Sequence, residues 1–181
     1  MQMNLANKLT TLRVVLIPVF LVLLLSPLIA EPVNRYIAVG IFIAASITDF
    51  LDGYIARSRN MITNFGKFMD PLADKLLVCS ALVSMVELGD LPAWVVVIIL
   101  SREFAITGFR TLAMQVNIVM AASWWGKLKT TTQMIMIIVV LLQIQASVMN
   151  VIETILVALA VFFTIVSGVD YIVKNKAVLK G

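Results

Sequence analysis

Charged residues in this chain fall in short clusters, and between them lie six uncharged, largely apolar runs. These are Val14–Ala30 (17 residues), Tyr36–Thr48 (13), Leu76–Val86 (11), Leu91–Ser101 (11), Thr130–Ile152 (23) and Thr154–Val169 (16). A helix needs about 17–25 apolar residues to cross a hydrocarbon core about 30 Å thick. The pattern predicts an all-α, polytopic membrane protein with six transmembrane helices whose ends overlap the charged flanks. Composition agrees, because 61% of the 181 residues are apolar and 13% charged, against about 45–50% and about 25% in soluble domains. A soluble globule and a nucleic-acid partner are excluded on the same ground. Turns are expected at Pro27/Pro32, Arg57–Asn64, Gly89–Pro92, Val116–Ala121 and Asn150. No repeat or low-complexity tract interrupts the chain, so residues 1–181 read as one membrane domain.

Within that domain, residues 1–12 form a segment of their own. Leu5, Leu9 and Leu12 recur at helical spacing among Asn4, Asn7, Lys8 and Thr11, as in a short amphipathic helix lying on the membrane surface. The bundle then occupies about 13–173, and 174–181 is a basic tail. Assigning alternate loops to opposite sides puts Lys8, Arg13, Arg57, Arg59, Lys67, Lys75, Arg102, Arg110, Lys127, Lys129, Lys174, Lys176 and Lys180 together, leaving Arg35 alone with Glu31, Glu87, Asp90 and Glu153. The positive-inside rule then places both termini, and everything on the basic side, in the cytoplasm of a plasma-membrane protein. The chain has no histidine and a single cysteine, Cys79. A serine–histidine triad, a histidine-ligated metal and an internal disulfide are therefore ruled out.

Three of the runs are too short to cross alone. Eleven to thirteen residues rise only about 16–20 Å, so their helices must continue into charged sequence. That carries Asp49, Asp52, Asp70, Asp74, Arg102 and Glu103 part-way into the bilayer, all from the basic side. Ionisable groups at such depth are costly unless paired, metal-bound or wet, which points to a polar cavity open to the cytoplasm. Asp49 and Asp52 are three apart and Asp70 and Asp74 four apart, so each pair shares a helix face. Four gathered carboxylates would repel or take up protons, and all-oxygen donors suit hard divalent cations. Pro71 leaves two readings: Asp70 caps a helix that begins there, or the helix begins near Thr63–Asn64 and runs through Pro71. The second keeps Gly66, Asp70 and Asp74 on one face and is preferred.

The stretch Asp49-x2-Asp52-Gly53-x2-Ala56-Arg57-x8-Gly66-x3-Asp70-x3-Asp74 resembles the signature of the CDP-alcohol phosphotransferases at every fixed position and spacing. The resemblance implies a six-helix membrane enzyme, a homodimer, that displaces CMP from a CDP-linked donor with an alcohol, using two Mg²⁺ or Mn²⁺ ions. It implies that Asp49 and Asp70 bridge the two ions, that Asp52 and Asp74 complete the sites, and that Asp74 is the general base. It assigns Gly53, Ala56, Arg57 and Gly66 to the nucleotide pocket. Four stretches further resemble the branch that transfers phosphatidyl groups to glycerol 3-phosphate: Asn7–Arg13, the core motif ending in Lys75, Ser101–Arg110 and Gly126–Gln133. On that resemblance Asn7, Thr10, Arg13 and Lys75 join the CDP-diacylglycerol site. Ala6 stands where a proline is common in that branch.

The acceptor can also be argued from charge. Glycerol 3-phosphate is a dianion and needs cations apart from those that bind the diphosphate. Arg102 and Arg110 are eight residues apart, about 80° round an ideal helix, and Lys127 and Lys129 open the next helix, where N–H groups favour an anion. These four are the candidate glycerol-3-phosphate residues. Glu103 reads as the ion-pair partner of Arg102, and Asp170 as a helix-end residue with an interfacial partner. Transfer to inositol phosphate or serine is the alternative acceptor reading. A divalent-cation transporter is the alternative class, disfavoured because every deep charge approaches from one side.

Overall fold

The computed structural model describes residues 5–58, 64–115 and 123–176, with side chains placed except at 5–9, 49–58, 64–68, 70–71 and 114–115. The described residues form six helices and no strand: α1 (Leu5–Leu25), α2 (Val33–Ser58), α3 (Asn64–Glu87), α4 (Ala93–Gln115), α5 (Trp124–Leu142) and α6 (Ser147–Lys174). α5 and α6 are long and apolar enough to cross a membrane, and α1 and α2 contain the shorter apolar stretches Thr10–Leu25 and Val33–Thr48. The chain divides into two compact units, Met1–Asp90 and Leu91–Gly181, the first holding α1–α3 and the second α4–α6.

In the first unit α1 packs on both α2 and α3. Its buried stripe is Ile17, Phe20 and Leu24; the buried residues of α2 include Ala38, Phe42 and Ala45, and those of α3 Leu77, Ala81 and Met85. The alanines let the helix backbones approach, and shape-matched contact of this kind drives helix association where lipid is as apolar as the core. Phe20 and Phe42 fill the space between them, ring centroids 6.2 Å apart. The buried Asn34 amide donates to Leu24 O (3.2 Å), satisfying one of the carbonyls that a helix end leaves open. α1 runs from Leu5 to Leu25 without a break, so no change in the helix marks the expected boundary near residue 12. α3 begins at Asn64 and continues through Pro71, which is the preferred reading of that proline. It closes at the expected turn, where Gly89 takes φ +78° and Asp90 N–H bonds Met85 O at 2.8 Å. That left-handed angle suits glycine.

An ion cluster joins the start of α2 to the turn after α3. Arg35, 4% exposed, donates from both terminal nitrogens to the two oxygens of Asp90 (2.6 and 3.2 Å) and from Nε to Glu31 (3.1 Å). The Asp90 side chain is 2% exposed. The sequence placed these three residues on one side of the membrane but not in contact.

In the second unit α6 packs against both α4 and α5. Its buried face is narrow and small (Ala160, Thr164, Ser167, Tyr171), while Val148, Val151, Ile155, Phe162, Ile165 and Val169 are exposed on the rest. An apolar exposed stripe is stable against lipid, not against water. α5 and α6 are antiparallel: Ser123, at the start of α5, donates to Asp170 near the end of α6. One expected turn moves. The chain reverses at Gln143–Ala146, not at Asn150, which lies inside α6. Gln143 adopts a left-handed φ of 44° and its N–H bonds Val140 O, closing α5. The run Thr130–Ile152 had no charge to reveal this break.

Candidate functional site

The acidic motif lies on two helices of the first unit, at the end of α2 and the start of α3. Asp49, Asp52, Gly53, Ala56 and Arg57 occupy the last turns of α2, and Gly66 and Asp70 the first turns of α3. Their side chains lie outside the described ones. Both stretches are continuous helix, so the three-residue and four-residue spacings do place each aspartate pair on one face by register. α2 and α3 pack together. Asp74 is exposed and Lys75 half-buried. The donor set is therefore carboxylate oxygen alone, on adjoining helices with glycine at Gly53 and Gly66, and it fits a hard divalent cation rather than a soft one.

Thr10 and Arg13 lie one turn apart on α1, 1% and 0% exposed; Asn7, a turn earlier, has its side chain outside the described ones. Arg13 Nε donates to Ala45 O at 3.3 Å. Ala45 is one turn before Asp49, so Arg13 ties α1 to α2 at the edge of the acidic motif. A bond from a guanidinium to a backbone carbonyl is charge-assisted and strong in a buried setting.

The basic candidates belong to the second unit, and the structure sorts them. Arg102 donates from Nε to Ser167 Oγ (3.1 Å) and from Nη1 to Glu103 (3.2 Å). Lys129, 3% exposed, bonds the same Glu103 oxygen. Glu103 thus has two cations, one from its own helix and one from α5. A Cβ at Gly168 would stand 3.4 Å from Arg102 Cγ, and one at Gly126 3.7 Å from Nη2. Gly126 of α5 and Gly168 of α6 thus both lie beside the Arg102 side chain. Further along α4, Arg110 donates from Nε and Nη2 to the Tyr171 hydroxyl (2.9 and 2.6 Å), with its guanidinium carbon 5.3 Å from the ring centroid. Ser167 and Tyr171 are one turn apart on α6, so Arg102 and Arg110 both reach the same helix.

Lys127 does not share this arrangement. Two residues from Lys129 on a helix, it faces away, is exposed, and lies 5.9 Å from the Trp124 ring centroid. Beyond the apolar part of α6, Asp170 accepts from Lys174 (2.8 Å) and Ser123. The hydrogen bond from Lys174, then that from Ser123, hold its carboxyl below the usual carboxylate value. Sequence reasoning missed Ser167, Gly168 and Tyr171 as partners of the arginines. The one available signal was a Ser-Gly-x2-Tyr spacing within an otherwise apolar helix, which places three groups of unusual size or polarity on one stripe.

The geometry thus offers a carboxylate motif on α2 and α3 and, among the described residues, a cluster of two cations and one carboxylate on α4 and α5. A family model for CDP-alcohol phosphatidyltransferase matches residues 3–166. The chain is 44% identical to a CDP-diacylglycerol–glycerol-3-phosphate 3-phosphatidyltransferase of Bacillus subtilis, over 98% of this chain and 97% of the relative. It is 44% identical to a probable phosphatidylglycerophosphate synthase of Mycobacterium tuberculosis, over 94% and 81%. Against a CDP-diacylglycerol–glycerol-3-phosphate 3-phosphatidyltransferase of Haemophilus influenzae the identity is 37%, over 95% and 93%. With the family model covering most of its length and the motif helices in place, this chain belongs to the CDP-alcohol phosphatidyltransferase family.

Proposed function

We propose that this protein transfers a phosphatidyl group from CDP-diacylglycerol to sn-glycerol 3-phosphate, giving phosphatidylglycerophosphate and CMP. Relatives that carry this activity in their names match nearly the whole chain. The observation that carries the choice of acceptor is the Arg102–Glu103–Lys129 cluster. Among the described residues one carboxylate there meets two cations in a largely buried setting, where an anion interacts more strongly than in bulk water.

Asp49, Asp52, Asp70 and Asp74 would hold two divalent cations, Mg²⁺ or Mn²⁺, in this reading. When bound, the ions supply Lewis-acid neutralisation of the diphosphate and of the charge that builds on the departing CMP. Asn7, Thr10, Arg13, Gly53, Ala56, Arg57, Gly66 and Lys75 form the CDP-diacylglycerol site. Arg13, locked onto Ala45, sets the spacing of α1 and α2 there. Arg102, Arg110, Lys127 and Lys129 serve the acceptor phosphate, with Lys129 as the buried member and Lys127 at the exposed rim. Asp74 takes the proton from the 1-hydroxyl of glycerol 3-phosphate as its oxygen bonds to the phosphorus and the bond to CMP breaks. Its exposure gives that proton a route to water.

All six helices span the bilayer in this account, the first residues lie on the inner leaflet, and the enzyme is a homodimer with both termini in the cytoplasm. The basic asymmetry of the loops supports that orientation. In a Cys79→Ser background, cysteine at Asn60 is expected to resist an impermeant thiol reagent in intact cells and to react in inverted vesicles; labelling in intact cells contradicts it. The function itself is tested by CMP release from CDP-diacylglycerol with purified protein and a panel of alcohols. Release that depends on glycerol 3-phosphate is expected. Equal or faster release with serine, inositol phosphate or glycerol contradicts the assignment.

A further inference from the structure

Gln133 closes the Gly126–Gln133 stretch, and the proposed chemistry gives it no role. It is 2% exposed, and neither its amide nitrogen nor its amide oxygen meets a hydrogen-bond partner among the described residues. Thr164, 0% exposed, has a hydroxyl in the same condition. Buried polar atoms are bonded in roughly nine cases in ten, so three such atoms on two packed helices call for a partner. Their placement is regular. Gln133 lies one turn beyond Lys129 on the buried face of α5. Thr164 lies one turn before Ser167 on the buried face of α6. With the helices antiparallel, both displacements run the same way, away from the end where Ser123 meets Asp170. The remaining buried neighbours on these two faces, Met136, Ile137 and Ala160, offer no side-chain hydrogen bond.

We propose that Gln133 and Thr164 bind one internal water that extends the Arg102–Glu103–Lys129–Ser167 cluster by a turn, and that Gln133 is thereby a positioning residue for Lys129. A buried water bridges two to four polar groups. Here the amide supplies a donor and an acceptor, and the hydroxyl supplies either. The role for Lys129 rests on reading that cluster as the acceptor-phosphate site; the water does not. A polar floor of this kind fixes the ammonium without adding charge, so its loss shifts acceptor binding and spares the donor.

The test uses the full chain in lipid nanodiscs with ¹⁵N-labelled glutamine, the Gln133 side-chain signal being assigned with Gln133→Leu. The proposal predicts a cross-peak between the Gln133 amide protons and water, kept in Thr164→Ser and lost in Thr164→Val. Thr164→Val is expected to raise KM for glycerol 3-phosphate about three- to tenfold, leaving the CDP-diacylglycerol KM within about twofold. Gln133→Leu lowers the thermal midpoint, whereas an amide that is merely buried and unbonded would make leucine stabilising. No water cross-peak in the unsubstituted protein, or one unchanged in Thr164→Val, overturns the water site. An unaltered acceptor KM in Thr164→Val overturns the positioning role. If no CMP is released with glycerol 3-phosphate at all, the acceptor reading fails, and the cross-peak still decides the water.

Discussion

Each half of the molecule carries a three-member ion cluster, and the two clusters are opposite in kind. In the first, among the described residues, Arg35 is the one cation between Asp90 and Glu31, and every guanidinium edge that faces them is bonded. In the second, among the described residues, Glu103 is the one carboxylate between Arg102 and Lys129. A cation enclosed by two carboxylates attracts no further anion, so the Arg35 cluster is a clamp between the start of α2 and the turn after α3. A carboxylate shared by two cations organises them and leaves charge over, which is the makeup of an anion site. Burial and bond count alone would not separate the two; the sign of the leftover charge does.

The largest expected effect lies in neither cluster. Asp49→Asn and Asp70→Asn should each cut CMP release by at least about a thousandfold and abolish Mn²⁺ binding measured by spin resonance, while the protein still inserts. Near-normal turnover at ordinary Mg²⁺ for either would break the assignment of the acidic half. Next, Asp90→Asn opens the clamp. Removing one partner of a buried pair leaves a charge uncompensated, and with Glu31 still present a loss of about 2–4 kcal/mol is expected. It should be read as a lower thermal midpoint with the KM values of the remaining folded enzyme unchanged. A raised acceptor KM would mean that the clamp is part of the site.

Arg110→Gln acts on the open side of the comparison. It is expected to raise KM for glycerol 3-phosphate by roughly 10- to 150-fold, since a charge-assisted phosphate bond is worth about 1.5–3 kcal/mol, and the exposed Lys127→Gln by about fivefold or less. A rise in the CDP-diacylglycerol KM instead would move these residues to the donor site. The smallest effect concerns Asp170, whose carboxyl is held low by Lys174 and Ser123. A folded-state value below the unfolded one, which is about 3.9, contributes stability above that pH and loses it as pH falls through the folded value. The gap in thermal midpoint between the parent and Asp170→Asn should therefore be present at neutral pH, small because the Lys174 side chain is 62% exposed, and vanish in acid.

How these clusters form was only partly legible in the sequence. The uncharged runs located six helices, and the spacing of Gly66, Asp70 and Asp74 favoured a helix running through Pro71, as observed. Periodicity and charge sidedness are local properties, and they gave what local properties can. The partners of Arg35, Arg110, Arg102 and Lys129 lie 55, 61, 65 and 26 residues away, set by which helix faces pack. Treating Lys127 and Lys129 as one pair overlooked that alternate residues on a helix face apart. The turn at Gln143–Ala146 was missed because it is made of polar but uncharged residues, and the pattern in use counted charges.

The most direct measurement is equilibrium binding of labelled glycerol 3-phosphate to the Asp49→Asn/Asp70→Asn protein in EDTA, without CDP-diacylglycerol. If the cations of the second half hold the acceptor, the ligand binds this metal-free, inactive protein. Adding Arg110→Gln then weakens it by roughly tenfold or more. Binding that disappears with the metals, or that is indifferent to Arg110, would contradict the division of labour between the two halves.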